Sequence, residues 1–255
     1  MIEKWLEVVK KAGAIVLRAH GDKGIRQKSG ATDLVTQYDV EVQNFLTEKL
    51  SALVPGCSFF GEEGAGNKTL TDGWCFIIDP IDGTTNFIKG YGHCCVSVGL
   101  AKDREMVCGA VFDPFANELF YAEKGKGAFL NGRPIRCSDC DLSKALVTFG
   151  TCPYEHELAD KTFDTAKKLF LNSLEIRRGG SGALDICYVA SGKCDLYFEY
   201  ILRPWDFAAA TLILQEAGGL AMTTDGAPID FSKTSSYLCG NEKTTRAFFE
   251  LTEKS

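Results

Sequence analysis

The stretch Trp74-Cys75-Phe76-Ile77-Ile78-Asp79-Pro80-Ile81-Asp82-Gly83-Thr84-Thr85-Asn86-Phe87 decides how the rest of the chain is read. Its start is apolar throughout and reads as a buried strand, so Asp79 emerges at a sheet terminus. Pro80 holds the next residue extended, and Gly83 permits a sharp turn with positive φ. Thr84 and Thr85 follow with free backbone N–H groups, an arrangement able to cradle a phosphate. Two carboxylates about 4 Å apart repel by roughly 4 kcal/mol at an effective dielectric near 20. Folding would not bring Asp79 and Asp82 together without a cation, and hard divalent ions, Mg²⁺ first among them, are the natural occupants.

Working outward, the N-terminal MIEKWLEVVKKAGAIVLRAH places Ile2, Trp5, Leu6, Val9 and Val16 at helical spacing. A second helix runs through DVEVQNFLTEKL, with Val42, Phe45, Leu46 and Leu50 on one face. Short strands follow in WCFIID, CCVSVGLA, MVCGAVFD, ELFYAE and GAFLNGRPI, linked by turn-like KDRE, DPFAN, KGKG and NGRP, which predicts antiparallel pairing. After about residue 145 the rhythm changes. LVTFG, a helix through the 160s, LEIRR, a helix from SGALDICYVASG, DLYFEY, a helix from WDFAAATLILQEAGG and two last strands alternate helix with strand. The expectation is an α+β half over residues 1–145 fused to an α/β half over 146–255, one compact catalytic unit with sheets layered between helices.

Composition narrows the function. The 255 residues are 45% apolar and 24% charged, ordinary for a soluble globular chain. No stretch of eighteen apolar residues occurs, and Glu3, Lys4, Glu7, Lys10 and Lys11 interrupt any export signal, so the expected compartment is the cytoplasm and no membrane partner is expected. Reduced cysteines are therefore expected: Cys75, Cys94, Cys95, Cys108 and Cys187 read as small core hydrophobes. Cys137 and Cys140 form a lone C-x-x-C, and His20, His93 and His156 are too scattered to complete a zinc site with them. A net charge of −6 argues against a nucleic-acid partner. It also means that an acidic protein must attract an anion if it handles phosphate, which bound cations would resolve.

Two further places concentrate acids: Gly61-Glu62-Glu63-Gly64, directly after Phe59-Phe60, and Trp205-Asp206 at the opening of a helix. Taken singly, each acid has an ordinary structural use. Asp79 and Asp82 could stabilise a turn, Asp206 could complement a helix dipole, and Glu62 and Glu63 could be a solvated pair. Thr36-x-x-Asp39 before an apolar helix also fits a capping box.

Together, in this order, they resemble the signature of the inositol monophosphatase family. The carriers are Gly61-Glu62-Glu63, then Asp79 to Phe87 without departure, then Trp205-Asp206-x-Ala208-Ala209-Ala210 with a trailing Glu216-Ala217-Gly218-Gly219. The likeness extends through Lys28-Ser29, Asp33-Leu34-Val35-Thr36, Asp39, Gly180-Ser181 and Glu199, nearly the whole chain. It implies a layered α-β-α-β-α sandwich of the inositol monophosphatase and fructose-1,6-bisphosphatase superfamily. It also implies a Mg²⁺-dependent, Li⁺-sensitive phosphatase acting on a phosphate monoester by metal-activated water, and a homodimer.

The resemblance further assigns roles. Glu62, Asp79 and the carbonyl of Ile81 would hold a first Mg²⁺; Asp79, Asp82 and Asp206 a second; and Glu62, with Glu63 through water, would help a third. Thr84 would orient the attacking water and Asp39 would accept a hydrogen bond from Thr84, which makes Glu62, Thr84 and Asp39 the implied catalytic residues. Asp82, Asp206 and the Gly83, Thr84 and Thr85 turn would contact the phosphate ester, while Gly180, Ser181 and Glu199 would touch inositol hydroxyls. Lys28 would lie near the metals or be a solvated lysine, and Arg203 would be a rim residue or touch a partner chain. Gly182 and Asp185 depart from some relatives. The expected substrate is myo-inositol 1-phosphate. Fructose 1,6-bisphosphate, NADP or another nucleotide, and histidinol phosphate are the alternatives on the same scaffold, and a non-catalytic regulatory binding protein is a third class.

Overall fold

A computed structural model describes residues 2–19, 23–27, 34–63, 69–153 and 155–252; Lys28, Ser29, Asp33, His20 and Gly64 lie outside these. Helix α1 (Ile2–Leu17), a ribbon of β1 (Arg26–Gln27) and β2 (Leu34–Val35), and helix α2 (Gln37–Leu53) lead into a first sheet. Its seven strands lie in chain order: β3 (Ser58–Gly61), β4 (Trp74–Asp82), β5 (Cys95–Lys102), β6 (Glu105–Asp113), β7 (Glu118–Glu123), β8 (Ala128–Leu130) and β9 (Arg133–Pro134). A short helix α3 (Thr84–Lys89) follows β4. The chain then runs through β10 (Leu146–Phe149), α4 (Ala159–Phe170), β11 (Glu175–Arg177), α5 (Gly182–Ala190), β12 (Leu196–Leu202), α6 (Pro204–Glu216), β13 (Leu220–Met222), β14 (Ser235–Gly240) and α7 (Glu242–Thr252). These later strands form a second sheet in the order β11-β10-β12-β14-β13.

Burial explains the layering. Along β4, Phe76 and Ile78 face α1 and α2, meeting Trp5, Val9, Val42, Leu46 and Leu50, while Cys75 and Ile77 face the other way onto α5 and α6. The strand reads as an unbroken apolar run because both of its faces are covered. Phe76, Ile77 and Ile78 are each 1% exposed or less. Burying each stabilises the fold by roughly 1.5–3 kcal/mol. On the far side of α5 and α6 stand Tyr197, Tyr237 and Cys239 of the second sheet. Helices α4 and α7 close its outer face through Ala166, Leu169 and Phe248 on Val147, Phe149, Phe198 and Leu238. The order is therefore helix, sheet, helix, sheet, helix, as expected.

Local differences from the sequence reading have local causes. GAFLNGRPI, given as a strand, divides into β8 and β9 at its turn-like NGRP: Asn131 and Gly132 both take positive φ (51° and 80°), the two-residue turn that suits a hairpin's twist. Strand β3 was not anticipated and pairs parallel with β4, whereas the later neighbours in that sheet are antiparallel. Helix α7 was also not anticipated. Its polar-looking sequence hides a single buried stripe through Thr244, Thr245 and Phe248. All eleven cysteines are free thiols; Cys75, Cys94, Cys95 and Cys187 are buried as expected, and Cys108 is half-buried.

Helix α6 is the central piece, buried along nearly its whole length. Its run Ala208-Ala209-Ala210 lets it press on the first sheet so closely that a Cβ on Gly109 of β6 would stand 2.4 Å from the Ala209 carbonyl oxygen. Backbone on both sides leaves nothing to step aside, so Gly109→Ala is expected to cost about 1–3 kcal/mol, the usual range for overpacking. Thermal unfolding should show a Tm lower by several degrees; an unchanged Tm would mean the contact is looser than described.

Candidate active site

The site begins at an irregularity in β4. Asp79 pairs with Ser97 and Asp82 with Cys95, so three residue steps on β4 oppose two on β5. On a regular strand residues three apart point to opposite faces. The extra residue at Pro80-Ile81 makes a bulge that turns both carboxylates to one side. Asp79 is held there by the Ile81 N–H, which donates to its Oδ1 at 3.0 Å. Gly83 then takes φ +92°, and a Cβ on it would meet the carbonyl oxygens of His93 and Gly180 at 3.0 and 3.2 Å, so no other residue fits this turn. The turn opens α3, whose first N–H groups, Thr84 and Thr85 among them, have no partner within the helix.

Two other elements deliver the remaining acids, and a third holds Asp82. The parallel register of β3 sets Gly61 beside Ile78, and the Glu62 N–H donates to the Ile78 carbonyl at 3.2 Å, which brings Glu62 alongside Asp79. Asp206 stands in the first turn of α6, its Oδ2 accepting the Arg203 N–H at 2.8 Å. Asp82 is held across the molecule by α5: its Oδ2 accepts from the Ser181 hydroxyl at 2.6 Å and from the Ala183 N–H at 2.8 Å. Helix N-termini favour negative charge. One oxygen each from Asp79, Asp82 and Asp206 lies within 4.8 Å of the others.

These acids line a cavity of about 180 Å³ together with Glu62, Gly83, Thr84, Thr85, Gly180, Ser181 and Glu199. All the expected metal-ligating residues, the Ile81 carbonyl's residue included, thus converge. Asp39 stands behind them rather than in the lining. Its carboxylate accepts from the Thr36 N–H and hydroxyl at 2.8 and 2.5 Å, so the capping box is formed. The expected hydrogen bond from Thr84 to Asp39 is corrected: the Thr84 hydroxyl donates to the Ile81 carbonyl at 3.0 Å, an acceptor three residues back on the same turn. Ser181 directs its hydroxyl to Asp82. Glu199 is buried rather than a solvent-facing strand end. Its Oε1 accepts from the Cys152 N–H at 2.8 Å and its Oε2 from the Tyr197 hydroxyl at 2.6 Å. Arg203 lies on the rim, over the Trp205 ring.

The sequence reading missed several cavity residues. Arg178 lines it, as does Asp185, noted above only for departing from some relatives, and a Cβ on Gly150 would stand 1.8 Å from a Glu199 carboxylate oxygen, so that carboxylate would have to move. The Asn86 amide joins the two halves, donating to the His93 and Gly179 carbonyls at 2.8 and 3.0 Å. Of these, only Asp185 carried a signal, as an acid at a helix start.

The electrostatics test whether a cation fits. Burial, then the charges of Glu62, Asp82 and Asp206, push Asp79 well above the usual carboxylate range. Asp206 is likewise raised, by burial and then by Asp82. Asp82 and Asp39 rise to about 6, chiefly by burial, although hydrogen bonds from Ser181 and Thr36 oppose the shift. An all-oxygen donor set under mutual repulsion suits a hard divalent ion. Without one, the stability linked to these groups is complete below about 4 and is lost as pH rises through about 6, because the folded state holds their protons more tightly. The metal-free chain should therefore melt at a higher temperature at pH 5.5 than at pH 8. Asp79→Asn should raise the metal-free Tm at pH 8 while reducing the Tm gain that a divalent cation confers on the wild type. A lower metal-free Tm in the variant would show that the cluster is not repulsive.

Comparison with known proteins agrees with this geometry. The family model described as "Inositol monophosphatase family" matches residues 1–255. The chain is 40% identical over 238 residues to inositol monophosphatase 2 of Solanum lycopersicum, covering 89% of this chain and 88% of that one. The crystal structure of extragenic suppressor protein suhB from Bartonella henselae superposes with a TM-score of 0.90 at 30% identity, over 100% of this chain and 98% of that one. SaIMPase-II with bound inositol monophosphate superposes with a TM-score of 0.82 at 27% identity, over 97% and 92% of the two chains; the same protein has also been crystallised with 2'AMP. With the acids, turn and layers in place, the chain belongs to the inositol monophosphatase family, a family of metal-dependent phosphatases.

Proposed function

We propose that this phosphatase hydrolyses a polyol phosphate monoester, myo-inositol 1-phosphate first, with Mg²⁺ as its metal. The observation that carries this reading is the convergence of Asp79, Asp82 and Asp206 within 4.8 Å, in one cavity with Glu199. Glu62, Asp79, Asp82, Asp206 and the Ile81 carbonyl would hold two or three Mg²⁺ ions. Bound there, Mg²⁺ would supply Lewis-acid polarisation of the phosphoryl group and lower the pKa of water. The cations also reverse the local charge, which answers how a protein of net charge −6 attracts an anion.

The chain's own groups do the rest. The N–H groups at the start of α3 receive phosphoryl oxygens. The Thr84 hydroxyl, beside them, positions the attacking water. Asp39, capped by Thr36, keeps α2 and the rear of the acid cluster fixed. Ser181 and the α5 N-terminus hold Asp82, and Glu199 accepts a hydrogen bond from a leaving-group hydroxyl. We read residues 1–145 and 146–255 as two halves of one catalytic unit, working in the cytoplasm as a homodimer and inhibited by Li⁺. A nucleotide substrate is the second reading, supported by the 2'AMP complex of SaIMPase-II.

Phosphate release measured on inositol 1-phosphate, 2'AMP and p-nitrophenyl phosphate, with Mg²⁺ and with EDTA, tests the proposal. Activity is expected only with Mg²⁺ and best on inositol 1-phosphate; equal rates with EDTA would reject the metal assignment. Asp206→Asn is expected to reduce kcat/KM by orders of magnitude, since the cations supply several kcal/mol at the transition state. Thr84→Ala should lower kcat far more than it raises KM, because water positioning matters mainly in the transition state. A raised KM with kcat intact would make Thr84 a binding residue instead.

A further inference from the structure

One cavity carboxylate has no part in the reaction as proposed. Asp185, in the first turn of α5, lines the cavity and is 3% exposed. Burial pushes its carboxyl well above the usual carboxylate range, and the buried Thr148 hydroxyl, which makes no hydrogen bond to any other group, opposes that shift. Nε2 of His93 is also buried and without a partner. Asp185 and His93 meet at one backbone position: Oδ1 and Nε2 stand 2.6 and 2.8 Å from where a Cβ on Gly179 would lie. Buried polar groups in native folds are almost always paired, and exceptions call for an explanation. Thr148 and His93 stand behind Asp185 rather than in the cavity lining, so a ligand in the cavity meets this group through the Asp185 carboxylate.

The surroundings define that group. An ionised or hydrogen-bond-accepting carboxylate takes an O–H or N–H donor and repels phosphate. Glu199 lies close enough for its charge to act on Asp185, and both line the same cavity. Glu199 already receives two protein donors, but a carboxylate has about four acceptor sites, so capacity remains on both acids. Ile201, Leu202 and Trp205 add apolar wall for ring C–H faces. Two adjacent acceptors beside an apolar wall match a cyclic polyol with neighbouring hydroxyls.

We propose that Asp185 is a specificity-determining residue that accepts a hydrogen bond from a second leaving-group hydroxyl, next to the one taken by Glu199, with Thr148 and His93 as positioning residues around it. This rests on the polyol phosphate reading above and names a contact for it. A hydroxyl held equally in the bound substrate and the transition state contributes to KM rather than to kcat.

The test is steady-state kinetics of Asp185→Asn and Asp185→Ala with saturating Mg²⁺, on inositol 1-phosphate and on p-nitrophenyl phosphate, which lacks hydroxyls. The expected loss in kcat/KM is about tenfold or more greater on inositol 1-phosphate, seated mainly in KM, with the Asn variant milder because it keeps one acceptor oxygen. His93→Gln should shift the same ratio in the same direction by less. Losses of equal size on both substrates would show that Asp185 only braces α5 and Asp82, and no loss on either would show that no hydroxyl reaches it; each overturns the proposal. If Asp185→Ala fails to fold by its melting curve, the isosteric Asn variant decides. A wild-type chain that hydrolyses p-nitrophenyl phosphate but not inositol 1-phosphate would reject the polyol reading, and the Asp185 contact with it.

Discussion

Like charges crowded at the end of a buried strand are the constraint around which this fold is arranged. Asp79, Asp82 and Asp206 come within 4.8 Å of one another, the first two buried from water and the third half-buried. Each is fixed by donors from a different direction: the β4 bulge for Asp79, the α5 N-terminus for Asp82 and the Arg203 N–H for Asp206. Those donors offset part of the repulsion and leave the rest for a cation. The site is thus built from strain that the metal relieves, and metal binding and folding stability are coupled through the same groups.

The two sheets meet this demand in the same way. Strand β4 carries its bulge between Asp79 and Asp82, and β12 carries one between Glu199 and Leu202, where three steps again oppose two on the partner strand. Bulges re-aim side chains at the cost of ladder hydrogen bonds. Here one turns the phosphate-side acids into the cavity, and the other lies where β12 delivers Glu199 to it. Helix α6 lies between the sheets and touches both tasks: its alanines allow close approach to β5 and β6, and its first turn carries Asp206. The Asn86 amide and the Ser181–Asp82 bond then tie the halves together at the site itself. A shift of one sheet against the other would move the reacting groups directly.

What the sequence by itself determined is whatever depends on neighbours along the chain. The apolar run of β4, the positive-φ turn at Gly83, the capping box of Thr36 and Asp39 and the amphipathic stripes of α1 and α2 follow from periodicity and local sterics, and all are present. The acids that gather at the cavity were legible because they sit in motifs of specific order. The parallel strand β3 and helix α7 were not legible: a four-residue strand has little pattern of its own, and the α7 stripe is partly threonine, so its burial comes from the second sheet.

Only the tertiary structure decided which groups face one another. It gave the Thr84 hydroxyl to Ile81 rather than to Asp39, committed Ser181 to Asp82, and sank Glu199 between Cys152 and Tyr197. It also brought Asp185, Thr148 and His93 together from α5, β10 and the loop before β5. No spacing along the chain encodes those meetings. They arise where two bulged sheets close on a shared helix layer, and the register of one sheet against the other sets the distances.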